Sequence, residues 1–168
     1  MHRTKFALAL VAVVALMLGR GTALAMSPPC GWFTQGEISA ALGEKVTTVE
    51  EKKNMVTEKP RGCLYKTADL MKFASVDAYE RDGAEDAQKY FAQLTKDAAR
   101  GIGNNPSNPI TPVAGIGDEA AGVANILYVR KGAIVFSLAV FDSNKTQTTT
   151  ATGFAKAKTL AQGALSRL

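Results

Sequence analysis

The first 25 residues decide how much chain there is to fold, and in which compartment. Met1-His2-Arg3-Thr4-Lys5 is basic, Phe6 to Gly19 is an uncharged apolar run of 14 residues, and Ala23-Leu24-Ala25 has the A-x-A form that signal peptidases read. The expectation is a secretory signal peptide over residues 1–25, cut after Ala25, leaving residues 26–168 as one domain that is secreted or periplasmic. A bilayer-spanning helix needs roughly 20 apolar residues, so no transmembrane segment is expected once the signal is cleaved. Ser27-Pro28-Pro29 before Cys30 lacks the small and aliphatic residues of a lipobox, so lipid anchoring is not expected.

Cleavage changes the composition that matters. It removes Arg3, Lys5 and Arg20 and no acid, so 20 basic residues become 17 against 15 acidic ones and the net charge falls from +5 to +2. The apparent basicity belongs largely to the export signal, and the remaining cations interleave with acids, as in Glu50-Glu51-Lys52-Lys53; nucleic acid is not an expected partner. His2 is the one histidine of the chain and leaves with the signal. Ser-His-Asp and Cys-His catalysis and imidazole-ligated zinc are thereby excluded from residues 26–168. Cys30 and Cys63 are the only cysteines. Two thiols cannot make a four-thiolate site, and in an oxidising compartment they are expected to form a disulfide. No metal site and no cofactor are expected.

Thr34 and Glu37 have capping-box spacing, Phe33 can staple onto Ile38, and Gly43 can end the helix they begin. Val46 to Val49 reads as a short strand and Glu50 to Gly62 as an exposed loop. Cys63 to Thr67 and Leu70 to Tyr79 read as a hairpin turning at Ala68-Asp69. Asp82 and Glu85 repeat the capping spacing ahead of Ala84, Ala87, Tyr90, Phe91, Leu94 and Ala98, whose intervals predict a helix to Arg100. Gly101 to Pro112, with three prolines, three asparagines and two glycines, predicts a long surface loop. Val123 to Arg130 and Ala133 to Phe141 read as strands joined near Lys131-Gly132, the second apolar on both faces and therefore central. Phe154, Ala157, Leu160, Ala161, Ala164, Leu165 and Leu168 form the stripe of a last helix. Consecutive strands joined by short turns favour antiparallel pairing, so the expected class is α+β, a mainly antiparallel sheet with helices packed on its faces.

Four features bear on function. Gly115-Ile116-Gly117-Asp118-Glu119-Ala120 matches G-x-G-x-x-A, but a dinucleotide site needs a strand before the glycines and a helix after them, so the segment reads as a turn. Asp118 and Glu119 are candidate binding residues at the end of the Gly101 to Glu119 stretch, since irregular loops on a rigid scaffold carry recognition groups. As an acid and base pair they fit less well, because neighbours on an extended chain point to opposite sides. Trp32 beside Cys30 reads as a core anchor rather than a pocket wall, and Asn144-Lys145-Thr146 is a formal glycosylation sequon.

Cys30-Gly31-Trp32-Phe33-Thr34 with Glu37 and Ala41-Leu42-Gly43, then Cys63-Leu64-Tyr65, Gly115 to Ala120 and Val129-Arg130-Lys131-Gly132, resembles small exported bacterial proteins of unknown function, many of them actinobacterial lipoproteins. The resemblance spans about residues 30 to 165. It implies a sheet packed with helices, similar to the PsbP-like sandwich, and a bridge between the two cysteines, and it brings no catalytic residues. The expected function is a non-catalytic binding or accessory module of the cell envelope, its partner an envelope protein or a small ligand. The alternative is a carboxylate-dependent envelope hydrolase.

Overall fold

A computed structural model describes residues 27–55, 60–69, 71–100, 108–142 and 149–168. The signal peptide expected over residues 1–25, most of the Gly101 to Pro112 stretch and the Asn144 sequon lie outside the described residues. A short 3₁₀ turn at Pro29–Gly31 leads into helix α1 (Gln35–Leu42), strands β1 (Val46–Lys53), β2 (Pro60–Thr67) and β3 (Lys72–Glu80), and helix α2 (Ala84–Arg100). Strands β4 (Ile110–Pro112), β5 (Glu119–Val123), β6 (Ile126–Lys131) and β7 (Ile134–Asp142) follow, and then helix α3 (Thr149–Leu165). All seven strands pair antiparallel in the order β1-β2-β3-β7-β6-β5-β4. The chain is α+β, as its turn spacing predicted, and the doubly apolar β7 is the middle strand.

Alternation along the strands builds two cores. Residues 74, 76 and 78 of β3, 136, 138 and 140 of β7 and 127 and 129 of β6 face α1 and α3, where they join Trp32, Phe33, Ile38, Leu42, Ala157 and Ala161. On the other side Val135, Tyr128, Ala121 and Val123 pack under Ala87 and Phe91 of α2. That second core is narrower, because α2 lies over β4 to β7. The β1–β3 half of the same face is left open, its side chains half-buried at Leu64, Lys66, Phe73, Ser75 and Asp77 and exposed at Glu50.

Helix α1 starts as its spacing predicts: the Thr34 hydroxyl accepts from the Glu37 N–H at 3.2 Å and the Glu37 carboxylate accepts from the Thr34 N–H at 2.7 Å. Gly43 closes it in the left-handed region at φ 69°. From the far end of the chain Arg167 donates to the Trp32 carbonyl at 2.5 Å and pairs with the Glu37 carboxylate, fastening the tail of α3 to the start of α1. The Arg167 hydrogen bond first, and then the Thr34 N–H, hold Glu37 well below its ordinary 4.5, at about 2. A carboxyl depressed on folding stabilises the fold above its unfolded value, and that contribution disappears as pH falls from about 4.5 towards 2. In unfolding-midpoint titrations Glu37→Gln is therefore expected to approach the parent protein over that interval. Parallel profiles would contradict the clasp.

Four expectations need correction. Glu50 to Gly62 is not one exposed loop: Glu50 to Lys53 complete β1 and Pro60 to Gly62 open β2. Two of the charges there are paired across the sheet, Lys66 with Glu50 at 2.8 Å and Lys52 with Asp77 at 2.8 Å, so a polar run is compatible with an edge strand. Ile110–Pro112 is a short strand against Ala121 to Val123 rather than loop. Val123 to Arg130 is not one strand but the middle of a hairpin whose two-residue loop is Ala124-Asn125, with Ala124 at φ 55°. Helix α2 begins one residue later than an Asp82 cap would place it, with the Ala87 N–H bonded to the Gly83 carbonyl at 2.9 Å.

Candidate functional site

The β5–β6 hairpin sets Glu119 opposite Arg130, and this register assembles the acidic pair singled out in the sequence. Gly117 has φ 61°, and a Cβ there would stand 2.4 Å from the Arg130 carbonyl. Only glycine lets the chain pass so close, and the Asp118 N–H then donates to that same carbonyl at 2.8 Å. Asp118 Oδ2 accepts from the Gly132 N–H at 2.7 Å and from Arg130 Nη1 at 3.3 Å, while Oδ1 accepts from Lys131 Nζ at 3.2 Å. Glu119 Oε2 accepts from Arg130 Nε at 3.3 Å. One guanidinium thus draws together two carboxylates that adjacent positions on an extended chain would send apart. The Gly132 N–H, assisted by Lys131, holds the Asp118 carboxyl below its ordinary value. A general acid for glycoside cleavage needs its pKa raised, so the shift runs against that use. Asp118 and Glu119 latch the loop before β5 to the β6–β7 turn.

At the other end of the molecule Cys30 and Cys63 are joined as a disulfide, their Cα atoms 5.0 Å apart. The Tyr65 hydroxyl donates to the Cys30 carbonyl at 3.2 Å, and burial pushes the phenol up to about 12. Trp32 is buried edge-on against Phe136, ring centroids 5.4 Å apart, with Nε1 donating to the Ser27 carbonyl at 3.0 Å. It is a core anchor, as read from the sequence.

A third cluster had no motif to announce it. Where α2 stops covering the sheet, Tyr79 of β3 meets Tyr90 of α2 with ring centroids 5.1 Å apart. The Arg61 guanidinium lies 4.7 Å from the Tyr79 ring centre and donates to the Tyr79 hydroxyl. Arg81 lies 4.5 Å from the Tyr90 ring centre and is held by Asp86, with Nε donating at 2.9 Å. Each ring carries a cation, an arrangement worth about 0.5–1 kcal/mol per pair where exposed. Burial, followed by the neighbouring Tyr79, pushes the Tyr90 phenol up to about 12. Beside this ledge Lys52 reaches across Gly62 to Asp77 and, at 2.9 Å, to Ser75 Oγ, and Phe73 stacks on Phe141 with centroids 4.5 Å apart. The signal that could have found it is the parity of β3: Ala74, Val76 and Ala78 face the core, and Phe73, Ser75, Asp77 and Tyr79 face the other way.

No family model matches the chain, and no curated protein matches it. Among the described residues no group of three or more Cys, Asp, Glu or His side chains could hold a metal ion, and no helix is long and apolar enough to cross a membrane.

Proposed function

We propose that the protein is an exported, non-catalytic binding or accessory module of the bacterial cell envelope, and that it contacts its ligand or envelope partner at the Tyr79–Tyr90 ledge. The observation that carries this reading is the half-covered sheet face, whose boundary concentrates two tyrosines and two arginines. Tyrosine and arginine are the residues in which contact energy concentrates, because each offers a flat apolar surface and hydrogen-bond donors in one side chain. The acidic pair is already engaged by Arg130, Lys131 and Gly132, which favours a scaffold role for it and leaves the ledge as the better surface. The disulfide supports export, since such bridges persist in oxidising compartments.

The reading is tested with protein isolated from its native envelope, by comparing the ligands retained by variants. Arg61→Ala and Tyr79→Ala are expected to reduce retention about tenfold or more with little change in melting temperature. Asp118→Ala is expected to cost about 0.5–1.5 kcal/mol of stability, the net worth of its hydrogen bond from the Gly132 N–H, and to keep the ligand. The reverse pattern, retention lost in Asp118→Ala with the fold intact, would place the site on the acidic pair. Turnover of an envelope substrate would reject the non-catalytic class.

A further inference from the structure

The two halves of the Tyr79–Tyr90 ledge differ in how their cations are neutralised. On the α2 side Arg81 gives two donors to one carboxylate, Nε to Asp86 Oδ2 at 2.9 Å and Nη2 to Asp86 Oδ1 at 3.3 Å, and Asp82 adds a second negative charge beside it. Lys52 is engaged as fully, by Asp77 at 2.8 Å and by Ser75 Oγ at 2.9 Å. Arg61 is exposed and makes no ion pair among the described residues. Its one hydrogen bond there goes to a neutral partner, from Nη2 to the Tyr79 hydroxyl. A guanidinium carries five N–H donors, so most of its edge is open. Asp77 lies within electrostatic range, but that carboxylate is already held by Lys52.

The open guanidinium is also held in place. It lies over the Tyr79 ring, 4.7 Å from its centre, and the hydroxyl of the same residue accepts its hydrogen bond, so one side chain positions the cation twice. A cation fixed before its partner arrives loses less freedom on binding. Burial, followed by Tyr79, keeps the Tyr90 phenol at about 12, so an uncharged hydroxyl rather than a phenolate stands beside it at neutral pH. Arg61 covers a face of the Tyr79 ring and Arg81 a face of the Tyr90 ring, which leaves less room for an uncharged sugar or aromatic ring to stack. Resting on the reading of the ledge as the binding surface, we propose that the ligand presents an oxyanion, a carboxylate or a phosphate, to the Arg61 guanidinium. The planar fork of N–H donors matches two oxygens of one such group at once. On the Arg81 side the acids already outnumber the cation, so an anion there meets repulsion.

Heteronuclear NMR titrations of the purified protein at fixed ionic strength test this, with sodium acetate, methyl phosphate, the uncharged methyl glucoside and choline chloride as probes. Acetate or methyl phosphate should shift the amides of residues 61 and 78–80 and the Arg61 Nε–H saturably, and the tighter of the two names the group. Arg61→Gln should raise that dissociation constant about fivefold or more, and Arg61→Lys, which keeps the charge and loses the fork, should recover only part of the loss. The amide spectrum of each variant reports its fold at the same time. Ledge shifts from methyl glucoside or choline with none from either anion would overturn the proposal, as would anion shifts that persist unchanged in Arg61→Gln. The ligand retained from the envelope keeps two failures apart. If Tyr79→Ala loses it and Arg61→Gln keeps it, the ledge binds and the oxyanion assignment is wrong; if both keep it, the ledge is not the binding surface.

Discussion

Replacing Cys30 and Cys63 together by alanine is expected to destabilise the fold by about 3 to 4 kcal/mol, the chain-entropy cost of opening a loop of this length. The bridge spans a sequence separation of 33 residues and ties the turn before α1 to β2. Cys63 is fully buried within the larger core, so the substitution also removes packing that the entropy figure does not include. What resists the loss is local: Trp32 still packs on Phe136, and Arg167 still holds the Trp32 carbonyl. Urea unfolding of the parent and the double variant measures the difference. A loss below about 1 kcal/mol would mean that the N-terminal segment is secured by its side chains alone.

Phe136→Ala is expected to cost about 3–5 kcal/mol. Phe136 is fully buried on the middle strand, at the point where Trp32 meets the sheet, so truncation leaves a cavity bounded by elements from both ends of the chain. Because domains of this size are stable by only about 5–15 kcal/mol, one substitution removes a large part of the total. Phe73, also on a central ladder but half-buried on the open face, supplies the contrast. Phe73→Ala should cost clearly less in the same denaturant series, since water can fill the space left. Equal losses would mean that the β1–β3 half of that face is covered as well as the rest.

The helices and the central strand were legible because their signals are local. Thr34 with Glu37 and Gly43 are sufficient to start and stop α1, and the doubly apolar run of β7 can be satisfied only between two layers. The β5–β6 hairpin was not legible, because Ala124 stands at the left-handed position where Gly or Asn normally marks a turn. Missing that turn concealed the register, and with it the partner of the acidic pair: Glu119 faces Arg130 only once the chain folds back at Ala124-Asn125. The edge strand was misread for the opposite reason. Glu50-Glu51-Lys52-Lys53 looks solvated in one dimension, whereas Glu50 and Lys52 find their partners on β2 and β3. The ledge had no motif, since Arg61 of β2, Tyr79 and Arg81 at the end of β3 and Tyr90 of α2 meet only where α2 stops covering the sheet.

That ledge is tested most directly by amide hydrogen exchange on the protein with and without the ligand it retains from the envelope. Binding there predicts added protection in residues 77–81 of β3 and residues 86–91 of α2, with residues 113–119 and 130–132 unchanged. Protection confined to residues 113–119 and 130–132, with the ledge exchanging as before, would contradict it.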